Sequence, residues 1–246
     1  LIGALAAGAA TWRLAFAIGT VIAALAAAGV LRAEVPVTRA VTRASARRGR
    51  VQPTLVVIFA IVGLEFALSF WLASYLNDDV GLARAAAVAM VSGLYAANLL
   101  GRLAASRLAR RHTPERLLAL ALGAVLAGLP FLLVASSATA AVAGIGLAGV
   151  GIGALFPLAS SLHVQASRRT ADGALGETLI VAALGQTAAP LVAGAIAQAT
   201  TLRAGLLVLP ALTLLAAASL LMHRRQAATV TTDAAPTSSE RRLLNP

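Results

Sequence analysis

The sequence predicts an all-α polytopic membrane protein, and three observations carry that fold class. The 246 residues are 59% hydrophobic, with a mean hydropathy of +0.87. The apolar residues fall in runs of the roughly 20 that one helix needs to cross the hydrocarbon core of a bilayer. Arginine, which supplies all 20 basic residues, gathers in the loops on one side of the implied membrane. A water-soluble chain has no way to cover so many apolar helices.

In chain order, residues 1–10 (LIGALAAGAA) are apolar but too short to span. They read as the outer end of a helix that begins upstream, and leucine at position 1 agrees with a fragment. Spans follow near 12–32, 54–76, 84–105, 117–135, 138–162, 174–198 and 204–223, about seven in all. Residues 33–53 form the one long internal loop, polar and rich in arginine. Residues 226–246 carry Thr, Ser, Pro and charge without apolar periodicity, which reads as a disordered tail.

Charge sets the orientation. One set of loops, with the tail, holds 17 arginines, among them Arg32, Arg39, Arg102, Arg107, Arg110, Arg111, Arg168, Arg169, Arg224 and Arg225. The opposite loops hold Arg13, Arg84 and Arg203. Arginine is retained on the cytoplasmic face, so the C-terminus is expected in the cytoplasm and the protein in the cell (inner or plasma) membrane. The net charge of +11 would otherwise suggest a nucleic-acid partner. Its confinement to short loops makes it a topology signal and leaves the lipid bilayer as the partner.

The remaining chemistry is sparse. Cysteine is absent, which removes disulfides and thiolate metal sites. His112, His163 and His223 lie far apart near span ends, so no metal site is expected. Neither paired acids nor histidine clusters occur at membrane depth, and no cofactor motif appears, so the chain does not read as an enzyme. The Gly-rich run GIGLAGVGIGALFP (144–157) lacks the Lys-Ser/Thr of a phosphate-binding loop. Small residues there instead allow close helix packing in lipid.

Glu65 is the polar residue placed deepest, near the middle of its span. An ionised acid at a helix centre costs roughly 2.5–3.5 kcal/mol on insertion scales. It is therefore expected to face a cavity, find a partner or hold a proton; the alternative is a structural hydrogen bond to a neighbouring helix. Trp71 and Tyr75 follow on the same helix, as interface aromatics or, for Trp71, as a surface for a sugar-like solute. Ser92, Tyr95 and Asn98 recur every three residues as a polar stripe, with Asn98 facing substrate or another helix. Gln186 lies mid-span one turn before Pro190, a second cavity-lining candidate. Asp172 and Glu177 sit near Arg168 and Arg169, either in an ion-pair network or as a solvated helix start, and His163 is expected at the interface.

The segment GLYAANLLGRLAASRLARRHTPER (93–116) resembles the cytoplasmic signature between the second and third helices of a half in the major facilitator superfamily, with Gly101, Arg102, Arg107, Leu108, Ala109 and Arg111 in the matching positions. Arg110 departs from it, standing where the signature often has an aspartate, which puts an acid-dependent latch in doubt. GVGIGALFPLASSL (149–162), with Gly149, Gly151, Gly153 and Pro157, looks like the fourth helix of that superfamily's C-terminal half. LGQTAAPLVAGAIAQ (184–198), with Pro190 and Gly194, is similar to the next, and TWRLAF (11–16) resembles the outer loop before the sixth.

In that register the spans are helices six to twelve of twelve. Residues 1–32 close the N-terminal half, 33–53 is the central loop and 54–225 is the six-helix C-terminal half. The resemblance implies a helical bundle acting as a secondary transporter: two halves enclose a cavity and alternate its access. A small-molecule substrate is expected, either a neutral solute such as a sugar or a cationic drug exported against protons, with protons coupled through Glu65. The GLEF…FW…YL string is weakly sugar-permease-like. The competing readings are a seven-helix receptor, for which the absence of lysine rules out a retinal Schiff base, and an inactive truncated remnant.

Overall fold

The computed structural model describes residues 52–233, apart from 168, together with scattered helical positions between 17 and 29. Six long helices follow one another: α1 (Pro53–Asp78), α2 (Arg84–Leu108), α3 (Pro114–Leu133), α4 (Ala138–Ala166), α5 (Ala171–Ala199) and α6 (Val208–Asp233). A single turn at Leu202–Gly205 leads into α6. Each of the six segments is long and apolar enough to cross a membrane. At 1.5 Å per residue, the 26 residues of α1 reach about 39 Å, more than a hydrocarbon core needs.

These helices coincide with the last six expected spans. The span at 12–32, the segment 1–10 and the loop 33–53 fall outside the described residues, save for the scattered positions and the loop's last two residues. The tail differs from expectation at its start. Helix α6 runs on through Asp233, past the boundary at 225, because the first residues after it include good helix formers such as Ala227 and Ala228. Residues 234–246 lie outside the described residues.

Local chemistry sets the helix starts. Pro53 and Pro114 stand in the first turns of α1 and α3, where a missing N–H costs nothing. Ser137 and Thr170 cap α4 and α5, their hydroxyls accepting the N–H groups of Ala140 and Gly173. Between α1 and α2, Gly81 adopts φ 77°, a left-handed conformation that suits glycine. The turn then lets Leu82 N–H return to the Leu76 carbonyl.

Contacts between helix ends show that the six alternate in direction. At the arginine-poor end, the Tyr75 hydroxyl at the close of α1 donates to the carbonyls of Leu132 and Leu133, at 2.9 and 3.1 Å, where α3 ends. Arg203, ahead of α6, reaches the Ala135 carbonyl and stands 5.9 Å from the Tyr75 ring centre. At the other end, Arg224 of α6 donates to the Glu115 carbonyl of α3 at 2.6 Å. Tyr75 is therefore no belt residue. It is fully buried, and its hydroxyl adds a donor at the carbonyl end of α3, where Leu132 also accepts the Ala135 N–H.

Helix α4 sits at the centre, and glycine on two of its faces lets its neighbours approach. Toward α2, a Cβ on Gly149 would stand 2.7 Å from the Ala97 Cβ, and one on Gly153 would run into the Asn98 backbone. Gly101 answers from α2 against the Val150 backbone. Toward α3, a Cβ on Gly151 would lie 2.6 Å from the Ala121 carbonyl oxygen, and one on Gly144 would lie 2.6 Å from the Leu132 nitrogen. Helix pairs in lipid associate through such close packing, since burial from lipid offers no hydrophobic gain. Pro157, inside α4, is exposed and leaves the Gly153 carbonyl without its i+4 donor.

Gly151→Leu should therefore force α3 and α4 apart and destabilise the bundle by about 1–3 kcal/mol or more. Gly146→Ala, on the same helix with open space around it, should be neutral or stabilising by up to about 1 kcal/mol. Thermal unfolding of the two variants in detergent checks the contrast.

Candidate functional site

A cavity of about 790 Å³ opens on one face of the bundle between α1, α2 and α5, within the usual range for small-molecule sites. Helix α1 contributes Phe66, Ser69, Phe70 and Trp71, and α2 contributes Tyr95. From α5 come Gln186, Thr187, Pro190, Leu191, Gly194, Ala195 and Gln198. Those seven recur at helical spacing, so a single face of α5 makes up that wall. The wall combines aromatic rings, amides and hydroxyls, and carries no formal charge.

Trp71 is fixed from two sides. Its indole N–H donates to the Pro190 carbonyl at 3.0 Å. Its ring lies over Gly194, where an added Cβ would stand 2.7 Å from the indole. Phe70 meets Trp71 edge to face, with centroids 5.1 Å apart. The indole N–H being engaged, Trp71 has only its ring to offer a ligand. Pro190 also lacks an N–H, so the Gln186 carbonyl loses its i+4 donor beside the cavity.

Glu65 lies one helical turn from Ser69, toward the arginine-rich end. It is half-buried and accepts a hydrogen bond from the Asn98 amide at 3.2 Å. Asn98 is itself buried, and its Oδ1 has no hydrogen-bond partner. One turn further along α2, the exposed Arg102 brings the positive charge whose field reaches the Glu65 carboxyl. Tyr95, Asn98 and Arg102 thus descend α2 from the cavity wall past the acid, with Glu65 and Asn98 bridging α1 to α2.

The structure divides the other sequence candidates. Ser92, Tyr95 and Asn98 do not form one wet stripe: Asn98 is buried, Ser92 half-buried, and Tyr95 is 53% exposed. Three-residue spacing drifts around a helix of 3.6 residues per turn, which separates them. Among the signature residues, Gly101 is a packing residue, whereas Arg102, Arg107, Arg110 and Arg111 are exposed. Among the described residues none of these four arginines has a carboxylate within ion-pair distance.

His163 departs most from expectation. It is fully buried at the arginine-rich end, between Thr54 and Glu177. The periodicity of α4 held the signal, since His163 falls four residues after Ala159 and one after Leu162, both buried. Among the described residues no cluster of histidine and acid groups is arranged to hold a metal.

The family model described as Major Facilitator Superfamily matches residues 1–176 and 55–244 of the chain. No curated protein matches it.

A double-mutant cycle measures the bridge between α1 and α2. Asn98→Ala should cost more stability beside Glu65 than in a Glu65→Leu background, the difference being about 0.6–1.7 kcal/mol, as for hydrogen bonds inside membranes. Equal costs in the two backgrounds, read by unfolding in detergent, would mean the bond contributes nothing.

Proposed function

The chain belongs to the major facilitator superfamily, and from that premise we propose that it is a secondary active transporter working by alternating access. The family makes it a multi-pass membrane transporter of a small molecule, which sets the receptor reading aside. The observation that carries the finer reading is the placement of the Glu65–Asn98 pair one turn below an aromatic cavity, whose walls include α2 and α5, the two least buried of the six helices. In the family architecture that face looks toward the other half of the transporter.

Glu65 is the proton carrier in this reading. Neutral, it can donate or accept with Asn98; ionised, it keeps the amide donor and lies within the field of Arg102. Solute entering the cavity would change the water around the acid one turn away and so couple the two events. The substrate is an uncharged, sugar-like solute. Rings of Phe66, Phe70, Trp71 and Tyr95 suit its apolar face, and Ser69, Gln186 and Gln198 suit its hydroxyls. An anion would find no cation in the wall. The arginine-rich end faces the cytoplasm, as arginine retention requires, and Arg102, Arg107, Arg110 and Arg111 edge the cytoplasmic opening.

Hexoses should raise the unfolding temperature of the protein, and carboxylates of similar size should not. With a hexose so identified, Glu65→Gln in proteoliposomes should abolish uptake driven by a pH gradient while leaving counterflow exchange. Unchanged pH-driven uptake would remove Glu65 from coupling. Arg102→Ala should slow turnover about tenfold, a barrier change of about 1.4 kcal/mol, with membrane insertion intact. Wild-type turnover would make that loop a topology signal alone.

A further inference from the structure

A second polar constellation lies at the arginine-rich end, more than three helical turns along α1 from Glu65. His163, near the end of α4, has no solvent exposure. Its Nδ1 lies 2.8 Å from the hydroxyl of Thr54, in the first turn of α1. Its Nε2 faces Glu177 Oε2, near the start of α5, at 3.6 Å. The other oxygen of Glu177 accepts from Arg169 Nε at 3.1 Å, out of the α4–α5 connection. Four segments of the chain thus meet around one imidazole.

The hydrogen-bond inventory of this group is incomplete at one place. His163 Nε2 and Glu177 Oε2 are both buried, face each other, and have no hydrogen-bond partner. Buried polar atoms are seldom left so. With a neutral ring, a proton on Nδ1 would leave the Nε2 lone pair against a carboxylate oxygen. A proton on Nε2, with the Thr54 hydroxyl donating to Nδ1, also gives both atoms a partner but leaves the ring neutral beside the Glu177 carboxylate. With both nitrogens protonated, Nδ1–H donates to the Thr54 oxygen and Nε2–H to Glu177, which completes the set with a charge-assisted bond.

We propose that His163 and Glu177 form a proton-binding site, separate from Glu65, that fastens α5 to α4 and α1 at the arginine-rich end. A proton taken from the aqueous phase settles on the imidazole, the resulting cation pairs with the Glu177 carboxylate, and its loss loosens that link. From α5 the facing charge is Glu177, from the α4–α5 connection Arg169, and from α1 only the neutral Thr54 hydroxyl. Among the described residues α2 and α3 bring no charged group within ion-pair distance of His163. Helix α5 carries the longest wall of the cavity, so a tie at its base governs how freely that wall moves. The site does not depend on Glu65 carrying a proton, and it fails or stands by its own readouts.

The chain has no cysteine, so single thiols can report on the tie. Ala174, near the start of α5, is fully buried, and Ala171 is exposed. In the full chain reconstituted in liposomes, Ala174→Cys should react with a maleimide several-fold faster at about pH 8 than at about pH 5, bracketing the range in which histidine titrates, after correction by Ala171→Cys. Adding His163→Gln or Glu177→Gln should abolish that difference. A corrected rate that does not change with pH, or a difference that survives His163→Gln, overturns the proposal. Should the variants fail to insert, ¹⁵N spectra of the histidine-labelled wild-type chain decide. Protons on both His163 ring nitrogens at the acid end and on one at the alkaline end support the site; a ring neutral throughout overturns it.

Discussion

Helices in a bilayer gain nothing from burying apolar surface against one another, since lipid tails are as apolar as leucine. This bundle is therefore built on contact at short range, and the closest contacts gather around α4. Gly149 and Gly153 admit α2, while Gly144 and Gly151 admit α3. The result is a helix whose backbone, more than its side chains, sets the spacing of its neighbours. Other distances follow from that spacing. Because Gly153 lies against the Asn98 backbone, α2 is positioned to carry the Asn98 amide to Glu65 on α1.

The second pair of helices is organised around a similar economy of size. Gly63 meets Ala189, where an added Cβ would stand 2.9 Å from the alanine Cβ, and Gly185 lies against the Phe59 backbone. At the far end of the same interface, Gly194 leaves room for the Trp71 ring, which then reaches the Pro190 carbonyl. One small residue thus seats the largest aromatic of the cavity wall. Packing brings several polar groups a partner: Tyr75 at the end of α3, Glu65 beside Asn98, His163 beside Thr54 and Glu177.

The last six helices were legible in the sequence because hydrophobic length is a local signal, readable without knowing any contact. Glu65, Asn98 and Gln186 were each visible as polar residues in apolar runs. That Glu65 and Asn98 are bonded was not, because it depends on how α1 and α2 cross. Position near span ends points Tyr75 and His163 to the interface. Sequence position gives depth in the membrane but not which face of a helix a residue takes, and both fall on buried faces. Gly101 stood out only as part of a signature; its contact with Val150 gives that placement a steric reason.

Transport through the cavity requires the open face of α1, α2 and α5 to border water and not lipid. The direct measurement places single cysteines at Tyr95, Gln186 and Gln198 on the cavity wall, and at Phe131 and Leu214 on exposed positions of α3 and α6. Each full chain is then treated, in liposomes, with a charged thiol reagent that cannot enter lipid. Water at the wall predicts labelling at the first three positions and none at Phe131 or Leu214. Wall positions as inert as the α3 and α6 positions would mean that the face lies against lipid, and the cavity would not be a path for solute.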